Sequence, residues 1–499
     1  MKIRKKYIYI VVALILFTSC EDFLEKEPFH QPVQQNFWQT SEDVESGLNG
    51  AYALLRVAFN DKVAYYTYGD VPSDQFSYTG YEDYDNIRMY NLGERLNENS
   101  SYRTMVHMRD WTNFYKVINH VNTIIAKTQE ISVNEFDSEQ DKNNKIGEAY
   151  FLRGFTYFYM TRIWGDLPLL TEYIRDPVNQ PYVARSPKEE IWDQINSDLT
   201  MASDLLTWGY NRGVNNAIRG SKGATLATLA HLHAWQGNYD QVANVTQTLL
   251  ENGGYALIPG NQYETMFDNP TTENIFEISS QLEDEEEFQE DGEFTIGRKL
   301  LKFPYTVREF QVEPEWRFDV NRFRTLFNVQ DGETNDSIPD LRLQQVFEDI
   351  GSFMPITTKY DNTGFEFPDE TRGFYVDNNI IIFRLAGIML LRAEALAAMG
   401  QTSGSIELLD QVRARVGLEP YNGEQELFTA VMEERARELW AEGHRFYDMI
   451  RMKREVPTFQ FSFINDDDFQ AEKYYWPIEP LLRTNDPELE QTEFWRSRI

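Results

Sequence analysis

The chain has 499 residues, of which 41% are hydrophobic and 14% aromatic, so it can bury a sizeable core and does not have the composition of a disordered chain. A formal net charge of −33 repels phosphate backbones and excludes nucleic acid as a partner. The one cysteine excludes an intrachain disulfide, which leaves packing to hold the fold together.

Residues 1–19 read as a signal peptide. Lys2, Arg4, Lys5 and Lys6 form a basic start, and the apolar run Ile8–Phe17 is too short to span a bilayer comfortably. Thr18-Ser19-Cys20 follows as a lipobox, which predicts cleavage before Cys20 and diacylation of its thiol and amine. Two or more acyl chains hold a protein stably on a membrane. Residues 20–39, with two prolines, read as a tether, and residues 40–499 as one domain.

A helix is expected from about residue 40 to 60, capped by Thr40 or Ser41, with Val44, Leu48, Ala51 and Leu55 at helical spacing. Residues 60–108 lose that period and fill with Tyr, Asp, Asn and Gly, predicting a long loop with short elements. Helical patterns return at about 109–130, 141–164, 188–207, 219–236 and 238–252, the third opening with Pro187 at its first position. From about 254 to 379 the pattern breaks again, with a strand at Asn274–Ser279. Helices are expected at about 380–399, 402–416 and 424–453. LAHLHAWQG (Leu229–Gly237) and LRAEALAAMG (Leu391–Gly400) form a weak internal repeat, each with small residues on one face, a glycine stop and a partner helix. That is the signature of a tetratricopeptide-like antiparallel pair. The predicted fold is therefore mostly α, with such pairs, a large loop-rich face and a few short strands.

The segment ERARELWAEGHRFYDMIRMK (Glu434–Lys453) concentrates chemistry-bearing residues. Glu434, Glu438 and Glu442 repeat every four residues among Arg435, Arg437, Arg445 and Arg451, a pattern that fits a salt-bridged helix face. His444 lacks the second histidine that helical zinc ligation requires, and Gly443 permits a break. No nucleophile elbow, phosphate loop or dinucleotide fingerprint is present, so no catalytic residue and no cofactor is assigned. Acidic runs at Glu283–Glu287 and Asp466–Asp468 lack the calcium-loop pattern and leave calcium unsupported.

The aromatic-rich stretches are the better ligand candidates. A sugar ring offers an apolar face for flat aromatics and a polar rim for carboxylates and amides. Tyr65, Tyr66, Tyr78, Tyr81 and Tyr84 with Asp74 and Asn86 in the first stretch, and Tyr305 and Trp316 in the second, are the expected contacts. Asp83 and Asp85 lie beside them.

Several motifs in order resemble one family: CEDFLEKEP after the lipobox, SEDVESGLNGAY (41–52), AYFLRGFTYFYMTRIWGDLPLL (149–170), SPKEEIWDQINSDL (186–199), NIIIFRLAGIMLLRAEALAAMG (379–400), the 434–453 segment and YWPIEPLLRTNDPELEQ (475–491). Together they are similar to the SusD/RagB family of Bacteroidetes outer-membrane lipoproteins. The resemblance implies a non-enzymatic, surface-exposed nutrient-binding lipoprotein that acts as the lid of a SusC-type TonB-dependent transporter. The implied cargo is an oligosaccharide, or in some members a peptide; a secreted all-α glycosidase is the rival reading. The family's motifs are mainly architectural and its ligand contacts lie in loops after the first helix and after the NIFEI strand. Gly387 stands where the family commonly has an acidic residue.

Overall fold

The computed structural model describes residues 37–80, 82–93, 104–174, 182–211, 217–280, 295–306, 311–365 and 374–499. The signal peptide, Cys20 and most of the tether lie outside these residues.

Helix α1 (Ser41–Asn60) opens with a capping box: Thr40 Oγ1 accepts the Asp43 N–H, and the Asp43 carboxylate accepts the Thr40 N–H at 2.8 Å. Its predicted stripe of Val44, Leu48, Ala51 and Leu55 is fully buried. After a turn comes α2 (Ala64–Gly69), then strand β1 (Phe76–Tyr78) and short helices at Glu82–Arg88 and Thr104–Arg109. The helical layer continues with α3 (Thr112–Glu130), α4 (Glu139–Trp164), α5 (Lys188–Leu205), α6 (Lys222–Gln236) and α7 (Tyr239–Asn252). Pro187 occupies the cap of α5 rather than its first turn.

Every residue of α4 from Phe151 to Trp164 is buried, which is why its apolar pattern runs all round rather than along one stripe. Gly154 lets α5 approach: a Cβ there would lie 2.9 Å from the Leu199 side chain. Arg153 of α4 forms a buried two-point pair with Asp198 of α5, at 2.6 and 2.8 Å, and reaches Asn122 of α3 at 2.9 Å.

The chain then leaves the helices. Strand β2 (Asn274–Ile278) is followed by β3 (Arg317–Phe318), helix α8 (Val320–Phe327), and the short strands β4 (Phe347–Glu348), β5 (Ile356–Thr357), β6 (Thr363–Phe365), β7 (Phe374–Val376) and β8 (Ile380–Arg384). They form two-stranded antiparallel sheets, β1–β3, β2–β8, β4–β5 and β6–β7. Strand β8 corrects the expectation of a helix from residue 380. The β-branched run Ile380-Ile381-Ile382 pairs with β2, and helix α9 starts only at Leu385 and runs to Ala398.

Helix α10 (Thr402–Arg415) completes the second repeat. The two repeats meet directly: Ala230 and Ala234 of α6 and Val242 of α7 pack in one cluster with Leu391 and Ala395 of α9. Small side chains at these positions permit the close approach.

The 434–453 segment is not one helix. Helix α11 (Leu427–Glu438) and helix α12 (Arg445–Glu455) are separated by a turn in which Ala441 and Gly443 take positive φ of 57° and 79°. Nor is it a solvated face. Glu434, Glu438 and Glu442 are buried and receive cations from distant segments. Arg342 bonds Glu434 and Glu438 at 2.8 and 2.9 Å, Arg384 bonds Glu442 at 2.8 Å, and Lys359 bonds Glu442 at 2.6 Å. Arg415 pairs with both Glu438 and Glu273. Burial raises the Glu434 pKa, but Arg437, Arg342 and Arg413 outweigh it and hold the group at about 2. The four-residue spacing that suggests a wet face turns three carboxylates toward Arg342, Lys359, Arg384, Arg413, Arg415 and Arg437 instead.

Candidate functional site

The structure divides the expected ligand contacts sharply. Tyr65, Tyr66, Tyr84 and Trp316 are each at most 4% exposed, so none offers a ring to a ligand. Tyr65 packs 5.7 Å from Tyr159, Tyr66 edges onto Tyr360 at 5.6 Å, and Trp316 sits between Phe76 and Tyr84 at 5.7 and 5.2 Å. These rings are the core that fastens the irregular segments to the helices. Tyr81 lies outside the described residues.

Asp74 is only partly exposed and is bonded at both oxygens by Arg445, at 2.8 Å each, with Arg322 at 2.9 Å. Burial raises its pKa, yet the two guanidiniums outweigh that and hold it at about 2. Asn86 is half-buried on the short helix Glu82–Arg88, where its carbonyl accepts the Asn91 amide. Asp85 accepts Arg88 and Thr79, and Asp83 is buried.

Tyr78 and Tyr305 remain. Tyr78 is 41% exposed, and the β1–β3 register sets it opposite Arg317, whose guanidinium lies 4.9 Å from the ring centroid. Arg317 in turn pairs with Glu313. Tyr305 is half-buried; its hydroxyl donates to Glu348, and its carbonyl accepts Thr363 Oγ1 at 3.3 Å.

Sequence reasoning missed the apolar groups that accompany them. Phe303, Val312 and Phe353 are exposed by 44%, 65% and 76%. The Phe303 amide donates to the Gln311 carbonyl at 2.8 Å, which sets Phe303 beside Val312. Lys302 pairs with Asp349 and joins this segment to the turn bearing Phe353. Arg324 of α8 clamps that turn through the Gly351 and Ser352 carbonyls at 2.9 and 3.1 Å. The available sequence signal is local: Pro304 follows Phe303, and Gly351-Ser352 precede Phe353, marking aromatics on turns.

The polar rim of this face is acidic. Burial and the neighbouring charge of Asp268 push the Asp361 carboxyl up to about 6, with Glu264 and Glu348 adding to it. Burial, then the Glu348 carboxylate, raises the Tyr305 hydroxyl. The face thus combines flat or apolar groups with acceptors at its edge, which suits a ligand with hydroxyl donors and C–H faces. Among the described residues no group of three or more His, Cys, Asp or Glu is arranged to hold a metal ion, and no helix is long and apolar enough to cross a membrane.

Comparisons with known proteins agree with this architecture. The model of the SusD family matches residues 305–495, and a second model, described as starch-binding associating with outer membrane, matches residues 22–233. The chain is 28% identical to SusD-like protein P38 of Formosa agariphila over 97% of both chains, and 25% identical to SusD-like protein P25 of the same organism over 90% of both. A SusD homolog from Bacteroides thetaiotaomicron shares the fold with a TM-score of 0.79 at 24% identity, covering 92% of this chain and 99% of the other. NanU from B. fragilis does so with a TM-score of 0.72 at 21% identity, covering 93% and 99%. With family models matching residues 22–233 and 305–495 and the fold shared over 92% of the chain, the protein is a member of the SusD/RagB family.

Proposed function

We propose that the chain is a surface-exposed lipoprotein that captures oligosaccharides and covers a SusC-type TonB-dependent transporter in the outer membrane. SusD-like proteins bind glycans in polysaccharide utilisation, which supports the cargo class. The lipobox at Cys20 supports a diacyl anchor on the outer membrane. The observation that carries the binding reading is the exposed Tyr78 ring beside Arg317; Phe303 and Phe353 are further exposed aromatics in the irregular segments. Tyr78 and Phe353 stack on sugar faces, Tyr81 lies next to this ring in sequence, and Glu348 and Asp361 accept hydroxyls. As a binding protein it performs no bond chemistry and needs no catalytic group.

Affinity electrophoresis of the mature chain through gels of neutral polysaccharides tests the reading. Retention by at least one glycan, weakened in Tyr78→Ala, is the expected result. Capture of peptides with no glycan retention would replace the cargo class, and turnover of a labelled glycan would replace the function.

A further inference from the structure

We propose a second saccharide-binding site, in a polar cavity at the C-terminal end of α4, formed by residues that the loop-face reading does not use. It rests on that reading for its ligand class only. The cavity encloses ≈ 310 Å³ and lies between Gly165-Asp166, the Ala184–Lys188 stretch that leads into α5, the Ala471–Tyr475 turn and the tail Glu488–Arg496. That volume is at the lower end of the range of about 300–1,000 Å³ for small-molecule pockets and suits one or two sugar rings.

The walls are fixed before any ligand arrives. Arg185 staples three of them: its guanidinium donates to the Asp166 carbonyl at 2.8 Å, the Trp164 carbonyl at 2.7 Å and the Glu490 carbonyl at 3.1 Å. Gln491 is held by the Ile478 amide at 2.7 Å. Gly165, at φ +72°, lies against the Tyr475 ring, where a Cβ would come within 3.2 Å of the ring carbons. The absence of a side chain there lets the buried ring pack behind the Gly165-Asp166 wall and hold it in place.

The charge pattern is compatible with that ligand class. Asp166, Glu472, Glu488, Glu490 and Glu493 line the cavity with Arg185, Lys188 and Arg496, and Lys188 pairs with Glu472 at 3.0 Å while Arg496 pairs with Glu490 at 2.7 Å. The excess of carboxylates repels an anionic ligand. A neutral polyol can donate to the carboxylates and accept from the guanidiniums and ammonium. Glu472 holds a left-handed backbone, φ +57°, in the turn that brings its carboxylate to Lys188.

The test is calorimetric titration of the mature chain with maltose, cellobiose, laminaribiose and lactose, together with crystals soaked in each. The expected result is sugar density against Glu472 and Lys188 and a binding event that Ala184→Trp, at an exposed position on the rim, weakens at least about tenfold. Tyr78→Ala leaves that event unchanged. Equal affinity in wild type and Ala184→Trp, density on the loop face alone, or retention on a polysaccharide gel with no disaccharide bound overturns the second site and leaves the loop face standing. Failure of both the disaccharides and the polysaccharide gels overturns the carbohydrate reading and this site with it.

Discussion

The Gly443 amide donates to the Asp70 carboxylate at 2.6 Å, and the Arg445 amide donates to the same group at 3.3 Å. One side chain at the end of α2 therefore caps α12 across 373 residues of sequence. The approach is tight: a Cβ on Gly443 would lie 2.1 Å from the Tyr65 ring, and one on Gly69 would lie 2.0 Å from the Gly443 carbonyl oxygen. Gly443→Ala meets both that clash and a φ of +79°, so we expect a loss of more than about 3 kcal/mol in denaturant unfolding.

Asp70→Asn keeps one acceptor and loses the other, which costs about 1–3 kcal/mol. It also changes the response to pH. Burial raises the Asp70 carboxyl to about 7, above its ordinary 3.8, so its contribution is complete below 3.8 and is lost as pH rises through 7. Burial raises Glu277 to about 7 as well, and its contribution declines with the same sign. Unfolding free energies measured at about pH 5 and about pH 8 should show a shallower decline in the variant than in the wild type.

The buried ionic network predicts the opposite trend in acid. Glu434, held at about 2 against an ordinary 4.5, contributes stability that is present above 4.5 and lost as pH falls toward 2. Glu438 and Glu442 are lowered in the same direction. Glu438→Gln leaves Arg342, Arg384 and Arg415 short of a counter-charge, and we expect a loss of about 3–5 kcal/mol at neutral pH in denaturant titration.

Two aromatic substitutions separate scaffold from surface. Trp316→Ala empties a site that is 1% exposed and should cost about 3–5 kcal/mol. Tyr78→Ala should change stability by no more than about 0.5 kcal/mol while weakening glycan retention. Thermal melting and affinity electrophoresis of the two variants read both effects.

Gly387 provides the contrast to Gly443. It lies in the first turn of α9, and a Cβ there meets only the Leu439 methyls, at 3.6 and 3.7 Å, an ordinary contact. Gly387→Ala should therefore stabilise the chain by up to about 1 kcal/mol in the same unfolding assay.

Much of this architecture is legible in the sequence because it is local. The period of α1, the glycine stops of α6 and α9 and the strand at Asn274 depend on neighbours within a few residues. Non-local partners decide the rest. The pairing of β8 with β2 makes residues 380–384 a strand rather than a helix, although the run into α9 is continuously apolar. Tyr65 and Trp316 read as surface rings because their stretches lack a period, yet long-range packing turns them inward. Glu434, Glu438 and Glu442 have the spacing of a solvated face, and the cations that bury them stand as far away as Arg342 and Lys359. The cavity beside Tyr475 is assembled from separated segments and leaves no linear signature.

The shared carboxylates of Glu273, Glu438 and Glu442 tie strand β8, the end of α10 and Lys359 to the α11–α12 turn. A fragment that ends between any two of these residues strands a charge in the interior. Truncated chains that end between residues 273 and 442 should therefore show no cooperative transition in denaturant unfolding, because each lacks one side of the network.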